Sequence, residues 1–152
     1  MIVQRHCLVV FDEETGVELW QRQWPATYRN LRVTFATGPR ATPTVDGDRV
    51  YVLGAAGMRS CFETEAGALV WRVDMGVDYG TTVPVQGTTH APLVEGDLLI
   101  AVVDGDPDAK VVAFNKVTGA VYSNQDYAIA GGLAIATPVH NGRYLTISQR
   151  PT

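Results

Sequence analysis

Cysteine is scarce in this chain, with two among 152 residues, and no CxxC or CxxCH occurs. That removes a zinc ribbon and a covalently attached haem, and leaves little material for a disulfide framework. Cys7 and Cys61 lie on apolar stretches at different offsets from the following phenylalanine. They read as two small buried apolar side chains rather than a bridge. A surplus of positive charge is missing too: 12 basic residues against 16 acidic ones give a net charge of −4. That balance carries no electrostatic footprint for nucleic acid, so none is expected as a partner. Long apolar runs are absent. The longest, Leu98 to Val103, is far short of the ~20 residues of a membrane helix, so no membrane span is expected. Met1 to Asp12 has no basic start, apolar stretch and cleavage site, so it is not a secretory signal. Either a cytoplasmic location or an export signal outside this sequence would fit. No stretch holds a 3.6-residue apolar period for three turns, so no helix is expected. Nor is there a Ser-His-Asp order, an HExxH or a glycine loop of the phosphate-cradling kind.

What is present is a repeat. With 46% hydrophobic and 18% charged residues the chain is globular, and one three-part phrase runs through it. A hairpin reads Thr42-Pro43-Thr44-Val45-Asp46-Gly47-Asp48, returns as Ala91-Pro92-Leu93-Val94-Glu95-Gly96-Asp97, and again as Thr137-Pro138-Val139-His140-Asn141-Gly142-Arg143. An apolar strand ends in Phe11-Asp12, Phe62-Glu63 or Phe114-Asn115. A turn and strand then carries Gly16 to Trp20, Gly67 to Trp71, and Gly119 to Tyr122. A period of about fifty residues indicates a propeller or a solenoid. One copy divides into four strands: A about 41–45, B about 49–53, C about 59–63 and D about 69–73. Leu98 to Val103 is apolar at every position, as expected for a strand buried on both faces. Four-stranded antiparallel units of this kind are propeller blades.

The phrase Phe-Asp-x-x-Thr-Gly-x-x-x-Trp, present from Phe11 to Trp20, resembles the repeat of the pyrroloquinoline-quinone (PQQ)-like β-propeller family. That family includes quinoprotein alcohol dehydrogenases and a lipoprotein that assists outer-membrane protein assembly. The Thr-Pro-x-Val-x-Gly-Asp hairpin is similar to the family's as well, and the likeness covers nearly the whole chain. The resemblance implies that Trp20 and Trp71 pack between neighbouring blades. In the third copy Ser123 stands four residues after Gly119 and Tyr122 comes one place early. There the Trp is absent or shifted by a deletion, which should loosen that junction by ~1–3 kcal/mol, less if Tyr122 fills the gap.

The strands count to three blades with one of them split. Residues 1–152 form a single unit: strands C and D of a split blade at about 6–24, full blades at about 40–75 and 89–126, and strands A and B of the split blade at about 134–149. Propellers close with about 4–8 blades. The expected fold is therefore all-β, either a partial propeller or half of a six-bladed homodimeric ring. A homo-oligomer is the expectation, because the two half-blades are complementary and open strand edges need cover.

Long connections follow each strand D, at residues 24–40 and 76–89, and such connections share one propeller face. They carry the candidate ligand-binding residues Tyr28, Arg29, Arg32, Arg40, Tyr79 and His90. Aromatic and basic groups together suit an anionic small molecule or a peptide; the competing reading is that they pin the loops. Asp104-Gly105-Asp106-Pro107-Asp108 opens like a calcium loop. Asn115 stands where an EF-hand has its bidentate Glu, and position six lacks Gly, so a solvated hairpin is the better reading. No catalytic or metal-ligating residue is assigned.

A non-catalytic binding or scaffolding propeller, taking a protein partner or small ligand, is the function expected. The alternatives are a quinoprotein dehydrogenase-like domain and an inactive truncated half-propeller. No cofactor is expected, PQQ and calcium being what the resemblance allows. The same resemblance suggests the cell envelope or periplasm.

Overall fold

The structure, a computed structural model, describes residues 4–28, 31, 38–80, 82–103, 110–127 and 136–148. Strands β1 (Arg5–Phe11) and β2 (Glu18–Pro25) form a two-stranded antiparallel sheet. Two four-stranded sheets follow. The first contains β3 (Thr44–Asp46), β4 (Arg49–Leu53), β5 (Met58–Glu63) and β6 (Leu69–Asp74) in that order. After helix α1 (Met75–Tyr79) comes the second, with β7 (Leu93–Glu95), β8 (Leu98–Val103), β9 (Lys110–Asn115) and β10 (Val121–Asp126). The short pair β11 (Val139–His140) and β12 (Leu145–Thr146) completes the described chain.

Two departures from the sequence pattern have local causes. Strand A of the first full sheet begins at Thr44 rather than near residue 41, because Pro43 has no N–H to give to a ladder. Helix α1 was not expected. It has five residues, too few for a periodicity, and its caps make it: Asp74 accepts from the Val77 N–H at one end and Gly80 takes a left-handed conformation at the other.

Side-chain alternation turns these sheets into stacked layers. Along β4, Val50 and Val52 face the β1–β2 sheet, where they meet Leu8, Trp20, Trp24 and Phe62. Tyr51, between them, faces the other way and joins Cys61, Trp71, Leu99, Ala101, Val103, Val112 and Phe114. The middle sheet is thus buried on both faces, each face filling one interlayer core. In β8, Leu99 to Val103 are all buried. Cys7 departs from the expectation: it is exposed, because it lies between inward-facing His6 and Leu8 on β1, whereas Cys61 is buried and both are free thiols.

The repeated glycines and tryptophans make the junctions between layers. The Trp20 ring lies over Gly67, where a Cβ would come 2.6 Å from the ring carbon Cδ2, and its Nε1 donates to the Thr64 carbonyl at 2.7 Å. Trp71 repeats this over Gly119, with 2.7 Å to the Cβ position and a 3.0 Å bond to the Lys116 carbonyl. Each turn presents bare backbone because its glycine stands at positive φ (+64° and +73°). Arg22 tightens the first junction, donating to the Gly67 and Ala66 carbonyls while lying over Trp20. Polar contacts add to this near the inner strands: Thr44 Oγ1 donates to the Pro92 carbonyl, and Lys116 pairs with Asp46 at 2.7 Å.

The third copy resolves differently from one of the sequence options. A bulge sits at the same place in all three strand C–D pairs, so that Trp20, Trp71 and Ser123 occupy equivalent register positions. Tyr122 falls in the bulge itself and is exposed. No deletion has shifted the ring; serine stands in its place.

Candidate binding site on the loop face

The connections after β2 and β6 gather at the end of the sheets where the β4–β5 hairpin turns. Residues 82–92 are latched onto that hairpin: Thr88 donates through its N–H to the Ala55 carbonyl at 3.0 Å and through Oγ1 to the Gly54 carbonyl at 2.7 Å. Between the β1–β2 sheet and the hairpin lies a cleft of about 460 Å³, lined by His6, Trp24, Leu31, Met58, Asp74 and Val83 among others. That volume falls within the range of small-ligand sites, and mostly apolar walls with a few polar groups are usual for them.

The six sequence-derived candidates do not converge on one point. Tyr28 is buried, and its hydroxyl is hydrogen-bonded to His6 Nε2. Burial raises its pKa, with the charge of Arg40 opposing the rise. Arg40 is half-buried. His90 is fully buried and bonds through Nε2 to Arg59 Nη2 at 3.0 Å. Tyr79, at the end of α1, is half-buried against the core that holds Tyr51 and Trp71; burial raises its pKa and nearby Arg59 opposes the rise. Arg29 and Arg32 lie outside the described residues, as does the Asp104–Asp108 stretch.

Two residues central to this face were not singled out from the sequence. Arg59, 2% exposed, donates to Met75 Sδ and to the Val102 carbonyl, and its guanidinium lies 5.8 Å from the centre of the Phe114 ring. It stands three residues before Phe62, where the other copies have Leu8 and Val111. A cation at a position that is apolar in its sister repeats was the available signal. His6 packs edge-on against Trp24 and Tyr28 and against the backbone of Gly54, whose Cβ position lies 2.6 Å from His6 Nδ1. That nitrogen has no hydrogen-bond partner among the described residues.

Burial lowers the His6 pKa from the ordinary 6.5, and a stability consequence follows. Between the lowered value and 6.5 the unfolded chain binds the proton while the folded chain resists it. Stability should therefore be full above pH ~6.5 and decline as pH drops through that window. Urea midpoints at pH 7.5 and 5.5 check this; His6→Gln should reduce the difference, and an unchanged difference would remove His6 as its source.

Other groups on the described residues are held in unreactive states. Burial pushes the Tyr51 hydroxyl up to about 12 and the Cys61 thiol up to about 11. Neither ionises near neutral pH, so neither serves as base or nucleophile there. Among the described residues no three His, Cys, Asp or Glu side chains come together as a metal site. That donor set does not fit a calcium-held quinone, and no step is routed through one. No helix among them is long and apolar enough to cross a membrane.

Four-stranded antiparallel sheets stacked face to face, joined by tryptophan over a turn glycine, define the protein class as a run of β-propeller blades. The chain belongs to the family of the outer membrane protein assembly factor BamB, whose pattern matches residues 5–149. Solved structures agree on the fold. BamB from Moraxella catarrhalis superposes with a TM-score of 0.60 at 22% identity, covering 91% of this chain and 36% of that one. A europium-containing methanol dehydrogenase gives 0.57 at 16% identity, over 79% of this chain and 21% of that one. The quinohemoprotein alcohol dehydrogenase ADHIIG from Pseudomonas putida HK5 gives 0.57 at 18%, over 79% and 17% respectively. The chain thus spans 36% or less of the length of these structures. No curated protein matches it.

Proposed function

We propose that this chain is a non-catalytic binding unit that holds a protein partner on its loop face, working at the cell envelope as its family's name implies. The observation that carries the reading is the cleft beside His6 and Trp24, on the face where the long connections meet. Its only charged lining residue among those described is Asp74, so it offers shape and apolar contact rather than acid–base chemistry. In this reading Tyr28 and His90 act by fixing the connections from inside, and Arg40 and Tyr79 contribute from the rim. The family favours binding over redox chemistry; the dehydrogenase neighbours share the fold, and fold alone does not bring activity.

The same reading includes a second copy. The described residues leave β1 paired only with β2, and β12 only with β11. Placing β12 of one copy beside β1 of another gives the order β11-β12-β1-β2, the order of the complete sheets, and covers both open edges. Sedimentation equilibrium should return twice the monomer mass, and a stable monomer at micromolar concentration would sink the pairing. For the binding reading, a pull-down from envelope extract with the wild-type chain should enrich a protein that Val83→Arg fails to retain while melting normally. Dye reduction on adding PQQ and calcium should stay at background. Turnover above background, or capture indifferent to the cleft substitution, would overturn it.

A further inference from the structure

The Asp12–Gly16 turn is built like the two turns that receive tryptophans, yet it is bare. Gly16 N–H donates to the Asp12 carbonyl at 2.8 Å; Gly67 and Gly119 make the same bond to Glu63 and Asn115 at 3.0 and 2.9 Å. Gly16 has a φ of +70°, matching +64° and +73° at the others. The backbone is therefore already in the receiving shape. A Cβ on Gly67 or Gly119 would strike an indole, whereas nothing lies within 4 Å of that point on Gly16.

A second observation coincides with the first. Phe62 and Phe114, which begin the two occupied turns, are 2% and 1% exposed and share their cores with Trp20 and Trp71 respectively. Their counterpart Phe11 is 56% exposed. The carbonyl that would answer the indole N–H, three residues before the glycine, belongs to Glu13, which is exposed. A flat apolar ring with one N–H donor is the complement of this surface, and tryptophan alone among side chains supplies it.

We propose that Gly16, Phe11 and the Glu13 carbonyl form a docking site for a tryptophan side chain carried on a strand of a separate protein partner. The chain does not fill the site itself. Trp20 and Trp71 are engaged at their own junctions, and Trp24 is buried in the first core. A second copy of the chain, paired through β12 and β1, would bring Ser123 to this point, because Ser123 holds the tryptophan register. The site therefore stays open to a partner with or without that pairing.

The chain itself can carry the probe. Ser123→Trp places the missing indole in the correct register on β10, and sedimentation equilibrium should show self-association about tenfold or more tighter than wild type. Gly16→Asn, which tolerates positive φ but brings a Cβ, should return that variant to wild-type association. Circular dichroism checks that both fold. Should Ser123→Trp disturb the third sheet, amide shifts of Gly16 and Phe11 on titrating N-acetyl-tryptophanamide into the wild-type chain give an independent readout. Those shifts should saturate, and disappear in Gly16→Asn. Association of Ser123→Trp no tighter than wild type, association unmoved by Gly16→Asn, or no saturable shifts up to the solubility limit would overturn the proposal.

Discussion

Replacing Trp71 with alanine should cost about 3–5 kcal/mol, the largest loss expected of a single substitution in this chain. The ring is buried among Tyr51, Met75, Leu99 and Phe114, so its removal opens a cavity in the core between the two four-stranded sheets. The hydrogen bond to the Lys116 carbonyl goes with it, adding about 1 kcal/mol to the loss. Trp71→Phe separates the two contributions, because it keeps an apolar ring and loses the donor; a loss of roughly 1–3 kcal/mol is expected, part of it the smaller ring. Denaturant unfolding followed by circular dichroism reads all three proteins. Were Trp71 instead a platform for a ligand, its loss would change stability by less than about 0.5 kcal/mol, as for ordinary surface positions.

Three glycine substitutions provide the second large effect and its own control. Gly16, Gly67 and Gly119 share the left-handed conformation, so alanine at each carries the same backbone penalty of roughly 1–2 kcal/mol. Only two of them also face an indole, with the Cβ position 2.6 Å from Trp20 and 2.7 Å from Trp71. Since the indoles are held by backbone hydrogen bonds, they cannot withdraw without losing them. Gly67→Ala and Gly119→Ala should therefore lose a further ~1–3 kcal/mol from overpacking, while Gly16→Ala shows the backbone term alone. Equal losses at all three positions would mean that the glycines serve the turn and not the junction.

Architecture was legible in the sequence because it is written in local patterns that recur. Glycines at fixed spacing mark turns, alternating or continuous apolar runs mark half-buried or fully buried strands, and the period links them into blades. The bulge that places Ser123 in the tryptophan register was not legible, since one extra residue in a strand leaves no mark on composition. Helix α1 escaped for a related reason: a single capped turn is shorter than any periodicity. The loop face was harder still. Tyr28 and His90 looked like rim residues because polar side chains in long connections usually meet solvent, yet partners distant in sequence, His6 and Arg59, draw them inside. Cys7 went the opposite way, outward, because a period-two strand must expose every second residue.

The central claim is that the repeated Gly-to-Trp phrase is a device for docking one blade on the next. A double-mutant cycle between Trp71→Ala and Gly119→Ala tests it most directly. Removing the indole removes the clash, so the double variant should lose well under the sum of the single losses, by about 1 kcal/mol or more. The same cycle run with Gly16→Ala, whose surroundings are open, should be additive within about 0.5 kcal/mol. Additive losses for Trp71 and Gly119 would contradict the account.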